Sequence, residues 1–344
     1  MTTRVLAAGD AFVLPTMLTE ALHREAGPDL EVSELALPWP DVPFGKVSEV
    51  DEASGTEEEM IELLQGVRIC VTQMAPFTAK VFEACPDLEL VAVGRGGPVN
   101  VNLDAAVEHG VKVSNAPGRN ATATAEHTVA LMLAAMRRIP QVHGDLAGGV
   151  WRGDYYRYES VGPELENRTV GLIGYGAIGS RVCRILRGFG ARVLVHDPFI
   201  GPETVAGVAE LVDLGELLSS SDVVSLHARV TPETTGMIGS DQLAAMPTGA
   251  VLVNCARGAL VDYDAVCDAL DSRRLFGAAF DVFPEEPIPA GSRLLTTEGI
   301  VMTPHLAGAS KQTAHNAASI VAADVARYLR GEPLHHQVAP HPAR

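Results

Sequence analysis

No two of the five cysteines (Cys70, Cys85, Cys183, Cys255 and Cys267) stand in a C-x-x-C spacing, and their number is odd. A disulfide framework or a cysteine-built metal site needs paired, closely set thiols, so neither is expected. Reduced thiols in a cytosolic protein are the simplest account. No apolar run approaches the roughly 20 residues of a membrane span. The opening MTTRVLAAGD has no secretory apolar core. Positive charge is scarce, with 26 Lys and Arg against 43 Asp and Glu and a formal net charge of −17. That balance argues against nucleic acid or an anionic membrane as partner, and plain solubility accounts for it. There is no internal sequence repeat. A cytoplasmic protein that acts on small molecules is the expectation these absences leave.

What is present suits two domains: 344 residues, 47% of them hydrophobic. Short apolar runs predict strands at 4–8, 68–72, 88–93 and 111–114. Helical patterns fall at 16–26, 77–85 and 103–109. Residues 38–59, with PWPDVP and a run of acids, read as a loop and a polar helix start. This β-α alternation implies a parallel sheet with helices on both faces. Ala116-Pro117-Gly118 reads as a boundary. Residues 121–138 predict a strong helix, apolar on more than one face, which suggests burial between domains or subunits. Residues 144–168 read as an irregular loop with aromatics. The tail HHQVAPHPAR, residues 335–344, has no periodicity and reads as a frayed end.

The chain is organised around 170–197, VGLIGYGAIGSRVCRILRGFGARVLVHD. A buried strand runs into Gly174, Gly176 and Gly179 in G-x-G-x-x-G spacing. An amphipathic helix follows, then a second strand that ends at Asp197, 18 residues beyond Gly179. Each part suits a dinucleotide: Gly174 for a tight turn, Gly176 for backbone approach to the pyrophosphate, Gly179 for close helix–strand packing. The helix start, including Ala177 and Ile178, offers amides and a positive dipole end to phosphate. Asp197 stands where an acid meets the ribose hydroxyls.

Further strands are predicted at 222–226, 249–254, 277–282 and 299–303, and a closing helix at 311–329 that crosses back to the first domain. The strands lead into His227, into Cys255-Ala256-Arg257, into Asp281 and the run Phe283-Pro284-Glu285-Glu286, and into His305, Ala307 and Gly308. In a doubly wound sheet such loops share one edge. Histidine titrates near neutrality and suits proton transfer to and from an alcohol oxygen. A carboxylate beside it raises its pKa, and an arginine holds a carboxylate through a planar fork. Taken singly, Arg257, Glu286 and His305 are ordinary surface charges. On adjoining loops beside a dinucleotide site they suggest chemistry. In the first half, Gly94-Arg95-Gly96-Gly97-Pro98 follows a strand and offers amides to an anion, or is a simple turn.

With GYGAIG at 174–179, HDP at 196–198, LHARVTPETTGMI at 226–238, NCARGALVD at 254–262, DVFPEEP at 281–287 and TPHLAGAS at 303–310, the chain resembles the D-isomer-specific 2-hydroxyacid dehydrogenases over about residues 85–330. The resemblance implies a Rossmann-type doubly wound NAD domain at 120–308. It also implies a discontinuous, flavodoxin-like parallel α/β substrate domain, 1–119 with 309–344, and a cleft at the hinges. It implies Arg257 as the substrate-orienting arginine and His305 as the acid–base, partnered by Glu286, which stands immediately before the final proline of the run. It implies NAD held by Gly174, Gly176, Ala177, Ile178, Gly179, Asp197, His227, Cys255, Ala256, Arg257, Asp281, His305, Ala307 and Gly308. Substrate, a 2-hydroxy or 2-keto acid, would meet Arg95, Gly96, Gly97, Arg257 and His305. The helix 121–138 resembles the family's dimer-forming helix, so a homodimer through the cofactor domain is expected.

One segment departs from the family. Its substrate loop often reads GRAGxGVDNVD, whereas residues 94–102 read GRGGPVNVN, shorter and with a proline that removes one amide donor. Two other functions fit a chain of this kind: a dinucleotide sensor without turnover, and formate dehydrogenase, whose branch carries Gln where Glu286 stands.

Overall fold

A computed structural model of the chain describes residues 3–40, 43 and 45–339. They fall into two compact units: residues up to Asn120 joined by those from Ser310 onward, and Ala121–Ala309.

The first unit carries β1 (Arg4–Gly9), α1 (Pro15–Ala26), β2 (Glu31–Ala36), α2 (Glu57–Leu63), β3 (Ile69–Thr72), α3 (Ala79–Ala84), β4 (Leu90–Val93), α4 (Leu103–Glu108) and β5 (Lys112–Asn115), with a C-terminal helix, Lys311–Leu329. The strands are all parallel, in the order β2-β1-β3-β4-β5. That is the flavodoxin-like order, with its reversal between β1 and β3. The central strands are buried on both faces and therefore read as unbroken apolar runs. Side chains alternate between two cores. Val5, Ala7, Ile69 and Val71 pack with Leu18 and Leu22 of α1 and Ala317, Val321 and Val325 of the C-terminal helix. Leu6, Ala8 and Cys70 pack with Met60, Leu64, Phe77 and Phe82 on the other face. Thr56, Thr78, Asn102 and Ser310 cap their helices through side-chain oxygens.

Two sequence readings change here. β2, with the sequence EVSELA, is an edge strand with no buried residue, so it has no apolar run to announce it. The tail is not frayed through residue 338. The amides of His335 and His336 donate to Asp324, which is 1% exposed, and the Val338 amide donates to Val113 O. Residues 340–344 lie outside the described residues, as do Asp41, Val42 and Phe44 of the proline-rich loop.

The second unit carries α5 (Ala121–Met136), α6 (Ile139–Ala147), β6 (Thr169–Ile173), α7 (Gly179–Gly188), β7 (Arg192–His196), α8 (Pro202–Val205), β8 (Glu210–Leu211), α9 (Leu214–Ser220), β9 (Val223–Leu226), α10 (Ser240–Ala245), β10 (Ala250–Asn254), α11 (Tyr263–Asp271), β11 (Leu275–Phe280) and β12 (Ile300–Met302). Its sheet is also all parallel, ordered β12-β11-β10-β9-β6-β7-β8. This is the doubly wound Rossmann order extended by one strand, with the reversal between β6 and β9.

The apolar faces of α5 are used inside this unit. Ala125, Val129, Met132 and Met136 join a core with Val182 and Leu186 of α7 and with Val253 and Ala279 of the sheet. Residues 144–168 are not all loop. Arg138, at φ 52°, ends α5, Pro140 sits in the first turn of α6, and the helix runs on to Ala147. No residue of α6 is buried. Ile139, Leu146, Trp151, Tyr156 and Tyr158 are exposed, Trp151 at 86% and Tyr156 at 92%.

Candidate active site

In the second unit the loops after β6, β7, β9, β10, β11 and β12 all leave the carboxyl ends of parallel strands, and so they gather along one edge of the sheet. The reversal between β6 and β9 opens a crevice at that edge.

The glycine loop occupies this position, and its three glycines answer three different constraints. Gly174 has φ +99°, and an added Cβ would sit 2.8 Å from the His227 carbonyl. At Gly179 a Cβ would come within 2.3 Å of Gly174 O. At Gly176 it would meet nothing within 4 Å. Protein contact therefore explains two of the glycines, and open space, suited to a ligand, remains at the third. The Gly174 amide donates to His196 O and the Tyr175 amide to Asp197 Oδ2, at 2.9 and 2.8 Å. Among the described residues the next four amides, Gly176 to Gly179, have no acceptor. They form the open start of α7, where phosphate oxygens are the natural acceptors. Asp197 also accepts from the Phe199 amide, 3.0 Å, which fixes its carboxylate beside the loop. The residues thus fit a dinucleotide: amides for the pyrophosphate and a carboxylate for ribose hydroxyls.

His227 turns its Nε2 to Ser225 Oγ at 3.1 Å, and burial pushes its imidazole down to about 4. It is a neutral wall of the crevice. Cys255 is likewise buried, which pushes its thiol up to about 12. The Ala256 and Ala307 amides are already used, the first on Asn254 Oδ1 within its own loop and the second on Asp281 Oδ2 of the neighbouring one. Either residue would meet a cofactor through its carbonyl or methyl group.

The catalytic trio predicted from sequence is assembled here. His305 Nδ1 lies 2.7 Å from Glu286 Oε2, while Glu286 Oε1 accepts from the Phe283 amide at 2.9 Å. The hydrogen bond to Glu286 raises the His305 pKa. Burial works against the charge on Glu286, but His305, the Phe283 amide and the nearby charge of Arg257 outweigh it and hold the carboxyl below its usual range. The charge of Arg257 in turn works against that of His305. Arg257 is exposed, and the one hydrogen bond of its side chain among the described residues runs from Nη1 to Ala256 O, 2.7 Å. The rest of its fork is free to take an anion.

Sequence reasoning named Asp281 only among the residues that hold NAD, and gave Thr303, His127 and Asn254 no role in holding the trio in place. Asp281, 1% exposed, accepts from the Leu306 and Ala307 amides and from Thr303 Oγ1, at 2.9, 2.7 and 2.6 Å. Thr303 gives its proton to Asp281, so it accepts from His127 Nε2, 2.9 Å away on α5. The chain His127–Thr303–Asp281 thus grips the loop bearing His305, which is itself at φ 51°. Asn254, fully buried, donates to Arg257 O and to Tyr263 Oη; the Tyr263 hydroxyl donates to Val282 O at 2.7 Å. At Gly258 an added Cβ would lie 2.0 Å from Phe283 O, so the arginine loop and the glutamate loop touch backbone to backbone. The sequence signal was a run of buried polar residues at strand ends, which is legible only once the strands are placed.

In the first unit Arg95 ion-pairs with Glu52 and also donates to Glu52 O and to Met74 Sδ, both through Nη1. The Gly96, Gly97 and Val99 amides have no acceptor among the described residues, and Asn115 Nδ2 holds Gly96 O at 2.9 Å.

Comparison with known proteins identifies the family. Residues 129–307 match the family described as D-isomer specific 2-hydroxyacid dehydrogenase, NAD binding domain. A D-3-phosphoglycerate dehydrogenase of Methanocaldococcus jannaschii is 36% identical over 92% of the chain and 57% of its own length. A glyoxylate reductase of Korarchaeum cryptofilum is 38% identical over 82% and 86%. The chain therefore spans little more than half the length of the phosphoglycerate dehydrogenases it matches. Among solved structures, a Thermus thermophilus protein superposes with a TM-score of 0.79 at 31% identity, over 98% of this chain and all of its own. The chain belongs to the D-isomer specific 2-hydroxyacid dehydrogenase family, and its second unit is that family's NAD-binding domain.

Proposed function

We propose that the protein is an NAD-dependent dehydrogenase that interconverts a D-2-hydroxy acid and its 2-keto acid. The observation that carries this reading is the 2.7 Å contact between His305 and Glu286, on loops that share an edge with four unpartnered helix-start amides. The names of the relatives, D-3-phosphoglycerate dehydrogenase and glyoxylate reductase, support it.

In this reading the nicotinamide, when bound, supplies or accepts the hydride. The protein's part is binding, orientation and one proton. Gly176 to Gly179 hold the pyrophosphate and Asp197 the adenosine ribose. Arg257 holds the substrate carboxylate and so fixes which face of C2 is presented. In reduction His305 starts protonated and gives its Nε2 proton to the forming alkoxide. In oxidation it starts neutral and takes the hydroxyl proton. Glu286 holds Nδ1–H throughout, which fixes the ring and favours the imidazolium.

Steady-state NADH consumption with a panel of 2-keto acids tests the proposal. Turnover of at least one, lost in His305→Ala, is the expected result. NADH binding with no turnover across the panel would instead indicate a dinucleotide sensor.

A further inference from the structure

In the second unit β10 leads to Arg257 and β11 to Glu286, and one side chain from outside both loops is tied to both. Tyr263 opens α11 and is 6% exposed. Its ring packs edge-on against Phe280 at 4.9 Å and lies 6.4 Å from Phe283, which fixes where its hydroxyl stands. The directions of the hydrogen bonds there are forced. Asn254 Oδ1 takes the Ala256 amide at 2.9 Å, so Nδ2 is the end turned toward the tyrosine. Nδ2 spends one proton on Arg257 O at 2.9 Å and the other on Tyr263 Oη at 3.3 Å. The phenol proton is left for Val282 O, 2.7 Å away. Burial raises the pKa of the phenol, so that proton stays in place.

Each end of this relay reaches a member of the trio. At one end, Arg257 O belongs to the arginine itself. At the other, Val282 O belongs to the peptide whose N–H, that of Phe283, donates to Glu286 Oε1 at 2.9 Å. A peptide is planar, so a hydroxyl that fixes its carbonyl also fixes the direction of its N–H. With Oε1 pinned in this way, Oε2 is aimed at His305 Nδ1, 2.7 Å away. His305 faces Glu286, Asp281 and Arg257; the two carboxylates raise its pKa and the arginine works against them. The hydrogen bond to Glu286 is the largest of these influences, so whatever loosens Glu286 lets the His305 pKa fall.

We infer that Tyr263 is a positioning residue: its hydroxyl sets the arginine loop and the glutamate loop against each other, so that the hold of Arg257 on an anion and the acid strength of His305 depend on one phenol. This rests on the dehydrogenase reading for the reaction, but the His305 arm can be measured without turnover.

The experiment is Tyr263→Phe in the full chain, which keeps the ring and removes only the hydroxyl. NMR titration of isotope-labelled histidine, with His305 assigned through His305→Gln, should show the His305 pKa lower by about half a unit or more. KM for the best 2-keto acid of the panel should rise roughly threefold or more, while NADH affinity stays within about twofold. Val266→Ala is the control for mere loosening, since Val266 is fully buried on the same helix and touches neither relay end. It should lower the urea midpoint and leave the His305 pKa where it was. Asn254→Ser breaks the relay at its other end and should move both readouts in the same directions, which keeps the inference testable if Tyr263→Phe does not fold. A His305 pKa that is unmoved or raised in the folded variants overturns the inference. So does Val266→Ala moving that pKa as far as Tyr263→Phe, or a KM that does not change when the pKa falls. A His305 pKa that falls in Tyr263→Phe, in a protein that turns over no keto acid, would sink the dehydrogenase proposal and leave the hold of Tyr263 on Glu286 standing.

Discussion

Glu286 Oε2 and His305 Nδ1 stand 2.7 Å apart, which leaves Nε2 as the ring nitrogen free to transfer a proton. The pair raises the pKa of the histidine and lowers that of the glutamate. Reduction needs the imidazolium, so its rate should fall as pH rises through the elevated His305 pKa. Glu286→Gln removes the counter-charge and should move that alkaline limb to lower pH. His305→Ala should lower kcat by on the order of 10² to 10⁴ while NADH still binds. Near-normal turnover in His305→Ala, or a pH limb that does not move in Glu286→Gln when chemistry is rate-limiting, would contradict the assignment.

The two ends of the glycine motif should respond in opposite ways. Gly179→Ala places a Cβ 2.3 Å from a backbone oxygen and should lower the urea midpoint, with a cost of about 1–3 kcal/mol for the forced shift. Gly176→Ala meets nothing in the protein, so the midpoint should hold while NADH affinity falls. Unchanged NADH affinity in Gly176→Ala would remove the pyrophosphate from this loop.

Asp197 is pinned by the Tyr175 and Phe199 amides and would face the 2′-phosphate of NADP. The preference should be for NAD(H), and Asp197→Ser should narrow it. The measurement is kcat/KM with each cofactor, and equal values in the wild type would count against the prediction.

Asp281→Asn turns an acceptor into a donor opposite the amides that shape the His305 loop. Stability should drop by roughly 1–3 kcal/mol in urea denaturation, with kcat falling as well. A variant as stable and as active as the wild type would mean that the loop holds itself.

The exposed apolar residues of 139–158 are expected to meet a second copy, giving a two-fold dimer built on the second unit. Most apolar side chains of α5 are packed within its own unit, which leaves those of 139–158 as the exposed ones. Light scattering at micromolar concentration should report twice the 36.3 kDa chain mass, and Trp151→Glu should shift it toward the monomer. A monomeric wild type refutes the prediction.

The legible parts of the fold were those with a local signature. The strands buried on both faces announced themselves as apolar runs, and the G-x-G-x-x-G loop did so by spacing. Edge strands such as β2 and the two-residue β8 have little to bury and so left no pattern. α6 was hidden because none of its residues is buried. Arg257, Glu286 and His305 could be picked out because each follows a strand. Their supports could not: His127 and Thr303 are 176 residues apart, and a hydroxyl between an imidazole and a carboxylate has no mark in one dimension.

The backbone-to-backbone contact of Gly258 with Phe283 has a consequence for protein engineering. It joins the loop bearing Arg257 to the loop bearing Glu286, so a mutation that re-aims the arginine is expected to drag on the glutamate. Libraries seeking new substrates should therefore leave 254–258 and 281–286 untouched. Diversity belongs instead at 95–99, where side chains can change without moving the proton.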